Sequence, residues 1–67
     1  MPWYSFSVLK QDGTSTDAGS TLLPDGQAAH HYGTLLIDEL KRRGGYGLGL
    51  RLIVKNDAGD VSHNIPF

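Results

Sequence analysis

Cysteine is absent from this 67-residue chain, which excludes disulfide bonds and the thiolate-ligated zinc sites that stabilise many small domains. A domain of this length buries only about 60% of the surface that its unfolded chain exposes, so we expect its stability to be marginal. The remaining common source of additional stability is self-association.

The sequence also lacks an excess of charge and a long apolar run. Six basic residues stand against seven acidic ones, for a formal net charge of −1. Nucleic-acid-binding proteins usually carry a basic excess, so this balance argues against nucleic acid as a direct partner. No apolar run approaches the ~20 residues of a membrane span, and the N-terminal residues do not follow the signal-peptide pattern. We expect a cytoplasmic protein with no membrane partner.

The first residues alternate as a β-strand does. Tyr4, Phe6 and Val8 fall on one face of this strand, and Trp3 and Leu9 fall on the other. One face of a half-buried strand normally meets solvent. The presence of Trp3 and Leu9 there predicts that this side is partly covered too, by another subunit. The alternative is that the two side chains lie on a mostly polar, solvated face formed by Ser5, Ser7, Arg51 and Lys55.

A turn and a second strand are predicted next. Asp12-Gly13 supplies a glycine that adopts positive φ at little cost, as a hairpin turn requires. Residues 14–23 are rich in Ser and Thr and alternate little. We predict a short edge strand there.

A helix is predicted to begin at Asp25, whose carboxylate can accept a hydrogen bond from the amide of Gln27 or Ala28. The basic run at 41–43 and the glycines after it mark its end. At 100° per residue the helix has a polar arc and an apolar arc. The polar arc holds His30, His31, Thr34, Asp38, Lys41 and Arg42, and the apolar arc holds Ala28, Ala29, Tyr32, Gly33, Leu35, Leu36, Ile37 and Leu40.

Alternation with a period of two returns from Leu48, with a turn predicted at 56–59 and a last strand after it. A four-residue turn closing on Gly59 predicts three cross-strand pairs: Val54–Val61, Leu52–His63 and Leu50–Ile65. The predicted order is ββαββ. We therefore expect one α+β domain over residues 1–67, with a four-stranded, mostly antiparallel sheet and one helix packed on one face.

The adjacent histidines His30 and His31 suggest a metal site, but their spacing argues against one. Neighbouring helix residues point about 100° apart, and zincin-type sites need histidines at i and i+4. His63 is predicted on the inward face of the last strand, across the helix from His30 and hydrogen-bonded to a backbone carbonyl or a tyrosine. We interpret His30 and His31 as surface residues and expect no metal and no cofactor.

Catalytic and phosphate-binding motifs are missing as well. No G-x-S-x-G elbow and no cysteine nucleophile accompanies His63. The glycine-rich segment at 44–49 has neither the spacing nor the strand–loop–helix order of a dinucleotide-binding fingerprint. We predict that the protein is not an enzyme and has no catalytic residues; a small hydrolase using His63 is the least favoured alternative.

The basic residues support another alternative, an accessory protein that contacts nucleic acid. Its candidate residues are Lys41, Arg42, Arg43 and Arg51. The simpler interpretation of the run at 41–43 is an ordinary solvated helix end. Phosphate contacts would make any such binding fall steeply with salt.

Three segments of the chain resemble a family of short uncharacterised bacterial proteins, a domain of unknown function. They are MPWYSFSV at the start, LLPDGQAA in the middle and VSHNIPF at the end. Members of the family open Met-Pro-x-Tyr-x-Phe-x-Val, carry Leu-Pro-Asp before a helix with paired alanines, and close on Pro-Phe. The matching positions are Met1, Pro2, Tyr4, Phe6, Val8, Asp17, Gly19, Leu23, Pro24, Asp25, Ala28, Ala29, Leu40, Val54, Asp57, Gly59, Val61, Ile65, Pro66 and Phe67. Most are cap, turn and core residues, so the resemblance implies a fold and no activity; the glycine-rich joint departs from the family pattern.

A second similarity is to the antitoxin half of a small toxin–antitoxin system. The N-terminal domain of those antitoxins also has a Tyr-x-Phe strand, an Asp-Gly turn, and Pro-Asp before an alanine-rich helix. They usually add a DNA-binding extension, which these 67 residues do not contain. The similarity favours a protein-binding module over a repressor.

These observations predict a small non-catalytic protein-interaction module that self-associates, most simply as a homodimer. A further protein partner, which the sequence does not identify, is compatible with this prediction. One helix covers only one face of a four-stranded sheet, so we expect a second copy to cover the other face or to pair with a strand edge. The predicted interface residues are Trp3, Tyr4, Leu9 and Phe67.

Overall fold

The computed structural model describes residues 2–44 and 49–67. Within them the chain forms four strands and one helix, in the order β1 (Trp3–Leu9), β2 (Ser15–Leu22), α1 (Gly26–Arg43), β3 (Arg51–Lys55) and β4 (Val61–Pro66). The strands form one antiparallel sheet in the order β2-β1-β3-β4. The predicted ββαββ fold is confirmed. The predicted strand start at Leu48 and the middle of the glycine-rich joint lie outside the described residues.

The core lies between α1 and one face of the sheet, here called the inner face; the opposite side is the outer face. The largest fully buried side chains are Phe6, Leu52 and Val54, on the two central strands. They alternate with outward residues, as the period of β1 and β3 predicts. The alternation seen in the sequence is therefore the alternation between core and outer face.

The helix approaches the sheet closely because its buried stripe is narrow and small. Ala29, Gly33 and Ile37, each four residues apart, are its buried residues. A Cβ atom on Gly33 would lie 3.0 Å from Ile65 Cδ1 and 3.1 Å from Leu52 Cδ2. Through this stripe α1 packs mainly against β3 and β4.

Because α1 packs mainly against β3 and β4, the side of its apolar arc that faces away from these strands is uncovered. Tyr32 and Leu35, both predicted in that arc, are exposed, Leu35 to 54%. The ring of Tyr32 still contacts Phe6, with 5.0 Å between ring centroids. The predicted arc was too wide, because the contact surface of one helix is narrower than its run of apolar residues.

Both helix ends form as the sequence predicts. The Oδ1 atom of Asp25 accepts a hydrogen bond from the amide of Ala28 at 2.9 Å, which satisfies one of the free donors of the first turn. At the other end the amide of Gly44 donates to the carbonyl of Lys41 at 3.2 Å. Gly44 has φ of 75°, a conformation that favours glycine.

The β1–β2 hairpin is longer than predicted. The turn glycine, Gly13, has φ of 89°, and the strand after it runs for eight residues on the edge of the sheet. The register shifts between Phe6 and Ser7, whose partners are Gly19 and Asp17. Ala18 is the extra residue of this bulge. Backbone pairing to β1 forms the strand despite its weak side-chain alternation.

The predicted β3–β4 register was wrong by two residues. Val54 pairs with His63, and Leu52 pairs with Ile65. The loop is longer than assumed, because Asn56 closes it: the Asn56 amide donates to the carbonyl of Asp60 at 2.9 Å. The Asn56 Oδ1 atom also accepts from the amides of Ala58 and Asp60, each at 3.0 Å.

A bulge follows this loop and changes the face that one residue occupies. The register shifts between Val54 and Lys55, and Lys55 pairs with Val61. Ser62 is therefore the extra residue. Directly paired residues share a face, so Val61 lies with Lys55 on the outer face and is exposed, although the sequence predicted it inward.

Candidate interaction surface and histidine pair

The outer face carries apolar side chains from all four strands. Trp3 and Leu22 are direct cross-strand partners on β1 and β2, 54% and 44% exposed. Val61 is exposed on β4, and Leu9 and Ile53 are half-buried. We call Trp3, Leu9, Leu22, Ile53 and Val61 the outer apolar surface.

The rest of the outer face is polar. Ser5 and Ser7 separate the apolar residues along β1, and Arg51 and Lys55 flank Ile53 on β3. The Nε atom of Arg51 donates a hydrogen bond to Oδ1 of Asn64 across the β3–β4 pair. The outer face is therefore a mixture of a few large apolar groups and several polar ones.

A depression lies beside Trp3 on the same face. Its volume is about 370 Å³, and its lining includes Ser5 and Ser20 with Asn56, Asp57 and Gly59 of the β3–β4 loop. Trp3 is itself one of the residues that line this hollow.

The predicted interface residues do not all share this face. Trp3 and Leu9 do, whereas Tyr4 points into the core and is 7% exposed. Phe67 is half-buried, packs against the core, and donates its amide to the carbonyl of Leu50 at 3.1 Å. Burial leaves little of Tyr4 for a partner to contact.

Sequence reasoning missed Leu22 and Val61 as outer-face residues. Leu22 lies in a segment without clear alternation, so its face follows only from its pairing with Trp3. Val61 reaches the outer face because of the bulge at Ser62. Neither residue had a signal in the sequence that would have placed it.

A second concave surface lies on the inner face, beside the uncovered side of α1. It has a volume of about 380 Å³, with Val8, Ala18, Leu36 and Leu40 among its lining residues. Polar residues line it as well: Thr16, Asp17, Glu39 and Arg43. This groove separates edge strand β2 from the helix.

His30 and His63 lie together, which the sequence did not predict. Their ring centroids are 5.3 Å apart, with the rings at 73° to each other. The Nε2 atom of His63 lies 2.6 Å from the carbonyl oxygen of Gly26, so the predicted hydrogen bond to a backbone carbonyl is confirmed. The predicted position across the helix from His30 is wrong, because the first turn of α1 rests on β4. His30 and His31 are exposed, as predicted.

The four candidate nucleic-acid contacts are divided between the two sides of the sheet. Lys41, Arg42 and Arg43 are exposed in the last turn of α1, and Nε of Arg43 lies 3.6 Å from Oε1 of Glu39. Arg51 lies on the outer face. Within the described residues they do not form one basic patch.

Asp12 serves the local structure of the β1–β2 turn. The hydroxyl and amide of Thr14 donate to Oδ1 of Asp12, at 2.6 Å and 2.9 Å, and the hydroxyl contributes most to holding the pKa of Asp12 below its ordinary value.

The described residues contain no cluster of three or more potential metal ligands of the His, Cys, Asp or Glu type. No helix among them is both long and apolar enough to cross a membrane.

No family model matches the chain, and no curated protein or solved structure shows significant similarity to it. The resemblance to the family of short bacterial proteins and the similarity to antitoxins therefore stay predictions.

Proposed function

We propose that the protein is a non-catalytic interaction module that binds a second copy of itself through the outer apolar surface. The observation that carries this proposal is the exposed pair of Trp3 and Leu22 on the face that α1 does not cover. Tryptophan is among the residues that most often dominate binding at protein interfaces. Pairing side by side makes the two side chains one contiguous patch.

A second copy is the partner that we propose for this face because two-fold dimers are the commonest assembly of identical chains. In a two-fold dimer each subunit presents the same patch, which must therefore supply both a projection and its receptor. The half-exposed indole of Trp3 lines one side of the hollow of about 370 Å³, and a side chain of the second copy can enter that hollow. A partner indole that enters it would meet Ser5 and Ser20 at its walls.

The size of the sheet sets the expected strength of the dimer. Four strands about 4.8 Å apart and about 20 Å long present a flat face of roughly 400 Å². Two such faces bury roughly 800 Å² in total, below the about 1,200 Å² at which stable specific interfaces begin. We therefore expect a weak dimer, with a dissociation constant in the micromolar range or above.

The surroundings of His63 support a non-catalytic role. Its Nε2 atom is engaged by the backbone carbonyl of Gly26, where a hydrolase would place a serine hydroxyl or a carboxylate. Neither depression described above is lined by a histidine. The surroundings of His63 and the lining of the two depressions therefore favour a binding role over a catalytic one.

Sedimentation velocity over about 10 to about 500 µM tests the proposal. We expect a concentration-dependent shift from monomer to dimer, and a dissociation constant raised about 10-fold or more by Trp3→Ser. Leu35→Ser is the matched control, because Leu35 is exposed to the same extent as Trp3, at 54%, but lies on the helix. A monomer at every concentration would contradict the proposal, as would equal weakening by the two variants.

A further inference from the structure

Two elements bring His30 and His63 together at one end of the inner face. Gly26 and His30 are one helical turn apart in α1, and His63 lies against that turn from β4, in contact with both. The bulge at Ser62 is what directs His63 inward while Val61 points outward. The relative position of His30 and His63 is therefore determined by the backbone of α1 and β4.

The hydrogen bond to Gly26 determines which nitrogen of His63 is available. A carbonyl oxygen only accepts, so Nε2 of His63 carries the proton in this bond, 2.6 Å long. In the neutral ring the lone pair is then on Nδ1. Histidines that ligate metals are commonly held in this way, with the other ring N–H donated to a backbone carbonyl.

The distance between the two rings fits coordination of one ion. An imidazole nitrogen binds Zn²⁺ at about 2.1 Å, which places the ring centre about 3.2 Å from the metal. Two imidazoles at a tetrahedral angle then have centres about 5.2 Å apart, and at a right angle about 4.5 Å. The observed separation of 5.3 Å, with the rings at 73°, matches the tetrahedral value and is also that of an ordinary edge-to-face ring contact.

Solvent can reach this pair, since His30 is exposed and His63 is half-buried. Water can therefore complete a coordination shell in which the protein supplies two nitrogens. Imidazole ligands suit Zn²⁺, Cu²⁺ and Ni²⁺ better than Mg²⁺ or Ca²⁺, which prefer oxygen. With two protein ligands, binding should be weaker than at the four-ligand sites of structural zinc.

We propose that His30 and His63 bind a divalent transition-metal ion of this class, through one nitrogen of each ring, with His63 using Nδ1. The ion would link the first turn of α1 to edge strand β4. The unfolded chain does not hold the two rings together, so the metal binds the folded state preferentially and stabilises it. This site is on the inner face and is independent of the proposed dimer surface.

The test is thermal unfolding of untagged protein, first treated with EDTA and then titrated with Zn²⁺. At a metal concentration about 100-fold above the dissociation constant, Tm should rise by on the order of 10 °C. His30→Gln should abolish the rise, because it removes one ligand. His31→Gln is the matched control: it removes the adjacent exposed histidine, which points about 100° away from His30 around the helix, and it should keep the rise.

NMR of the histidine ring nitrogens identifies the ligand atoms. Zn²⁺ should shift the Nδ1 resonance of His63 in the wild type and in His31→Gln, and leave it in place in His30→Gln. An unchanged Tm rise in His30→Gln would overturn the site and indicate adventitious binding only. The absence of any Tm rise with Zn²⁺, Ni²⁺ and Cu²⁺ in the wild type would overturn it as well.

Discussion

Asp25 is the side chain on which the start of α1 depends. Its carboxylate accepts from the amide of Ala28, and Asp25→Ala leaves that donor without a protein acceptor. We expect the free energy of unfolding to fall by about 1 kcal/mol and Tm to fall by about 4–8 °C. Thermal denaturation followed by circular dichroism measures both.

Asp38→Ala is the control for this prediction. Asp38 is exposed in the middle of α1, so the change removes the same charge but no cap. Its Tm should remain close to that of the wild type. If Asp25→Ala and Asp38→Ala melt at the same temperature, the cap contributes nothing measurable.

Asp12 offers a prediction about pH. The Thr14 hydroxyl is the largest cause of its lowered pKa. A carboxyl whose pKa is lower in the folded state stabilises the fold above its unfolded pKa, and that contribution is lost as pH falls through the folded value. Thr14→Val removes the hydroxyl and keeps the backbone amide, so the pKa of Asp12 should rise toward its ordinary value.

An NMR pH titration of the Asp12 carboxyl measures this change. Thr16→Val, two residues further along the chain and within β2, is the control and should leave the pKa of Asp12 as it is in the wild type. Equal values in the wild type and Thr14→Val would show that the hydroxyl has no effect.

Helix α1 as an element depends on a glycine that would ordinarily weaken it. Replacing a helical glycine with alanine normally stabilises by about 1 kcal/mol. At Gly33 the new methyl group would meet Ile65 and fully buried Leu52 at 3.0–3.1 Å, and overpacking typically costs about 1–3 kcal/mol. We expect Gly33→Ala to lower the free energy of unfolding, as measured by urea denaturation.

Gly26→Ala provides the opposite case on the same helix. A Cβ atom at Gly26 would lie 3.6 Å from Nε2 of His63 and 3.7 Å from Oγ of Ser62, which are ordinary contacts. This variant should be as stable as the wild type or more stable, by up to about 1 kcal/mol. A Gly33→Ala protein as stable as Gly26→Ala would mean that the helix can move away from the sheet without cost.

The elements themselves could be predicted because their signals are local. The alternation around Phe6, the cap at Asp25 and the turn at Gly13 each act within a few residues, and each is found in the structure. The order ββαββ and the single helix on one face follow from them. The length of β2 could not be predicted from local signals, because an edge strand of weak alternation forms by pairing with its neighbour.

The candidate sites were harder to predict, since both depend on register. The side chain of Asn56 lengthens the β3–β4 loop, and the resulting bulge moves Val61 outward and brings His63 beside His30. No periodicity in the sequence encodes that loop closure. The outer position of Trp3 could be predicted from alternation alone, but its partner Leu22 could not.

At the scale of the whole molecule, α1 covers one face of the sheet, and no helix or strand of the described residues 2–44 and 49–67 covers the other. The proposed dimer therefore has a thermodynamic signature. A protein that unfolds from a dimer melts at a higher temperature when it is more concentrated. The Tm of the wild type should rise with protein concentration, and that of Trp3→Ser should not. This measurement complements sedimentation because it detects weak association through stability.

The position of β1 has a consequence for synthesis on the ribosome. The first strand of the chain lies inside the sheet, between β2 and β3. A β1–β2 hairpin that emerges alone is only marginally stable in water. The second edge of β1 stays unpaired until β3, which follows α1 in the chain, is available to pair with it. Joining β1 to β3 closes a long loop, a slow, non-local step. We therefore expect the nascent chain to remain unfolded until β3 has left the exit tunnel, and the domain then to fold in a single late event.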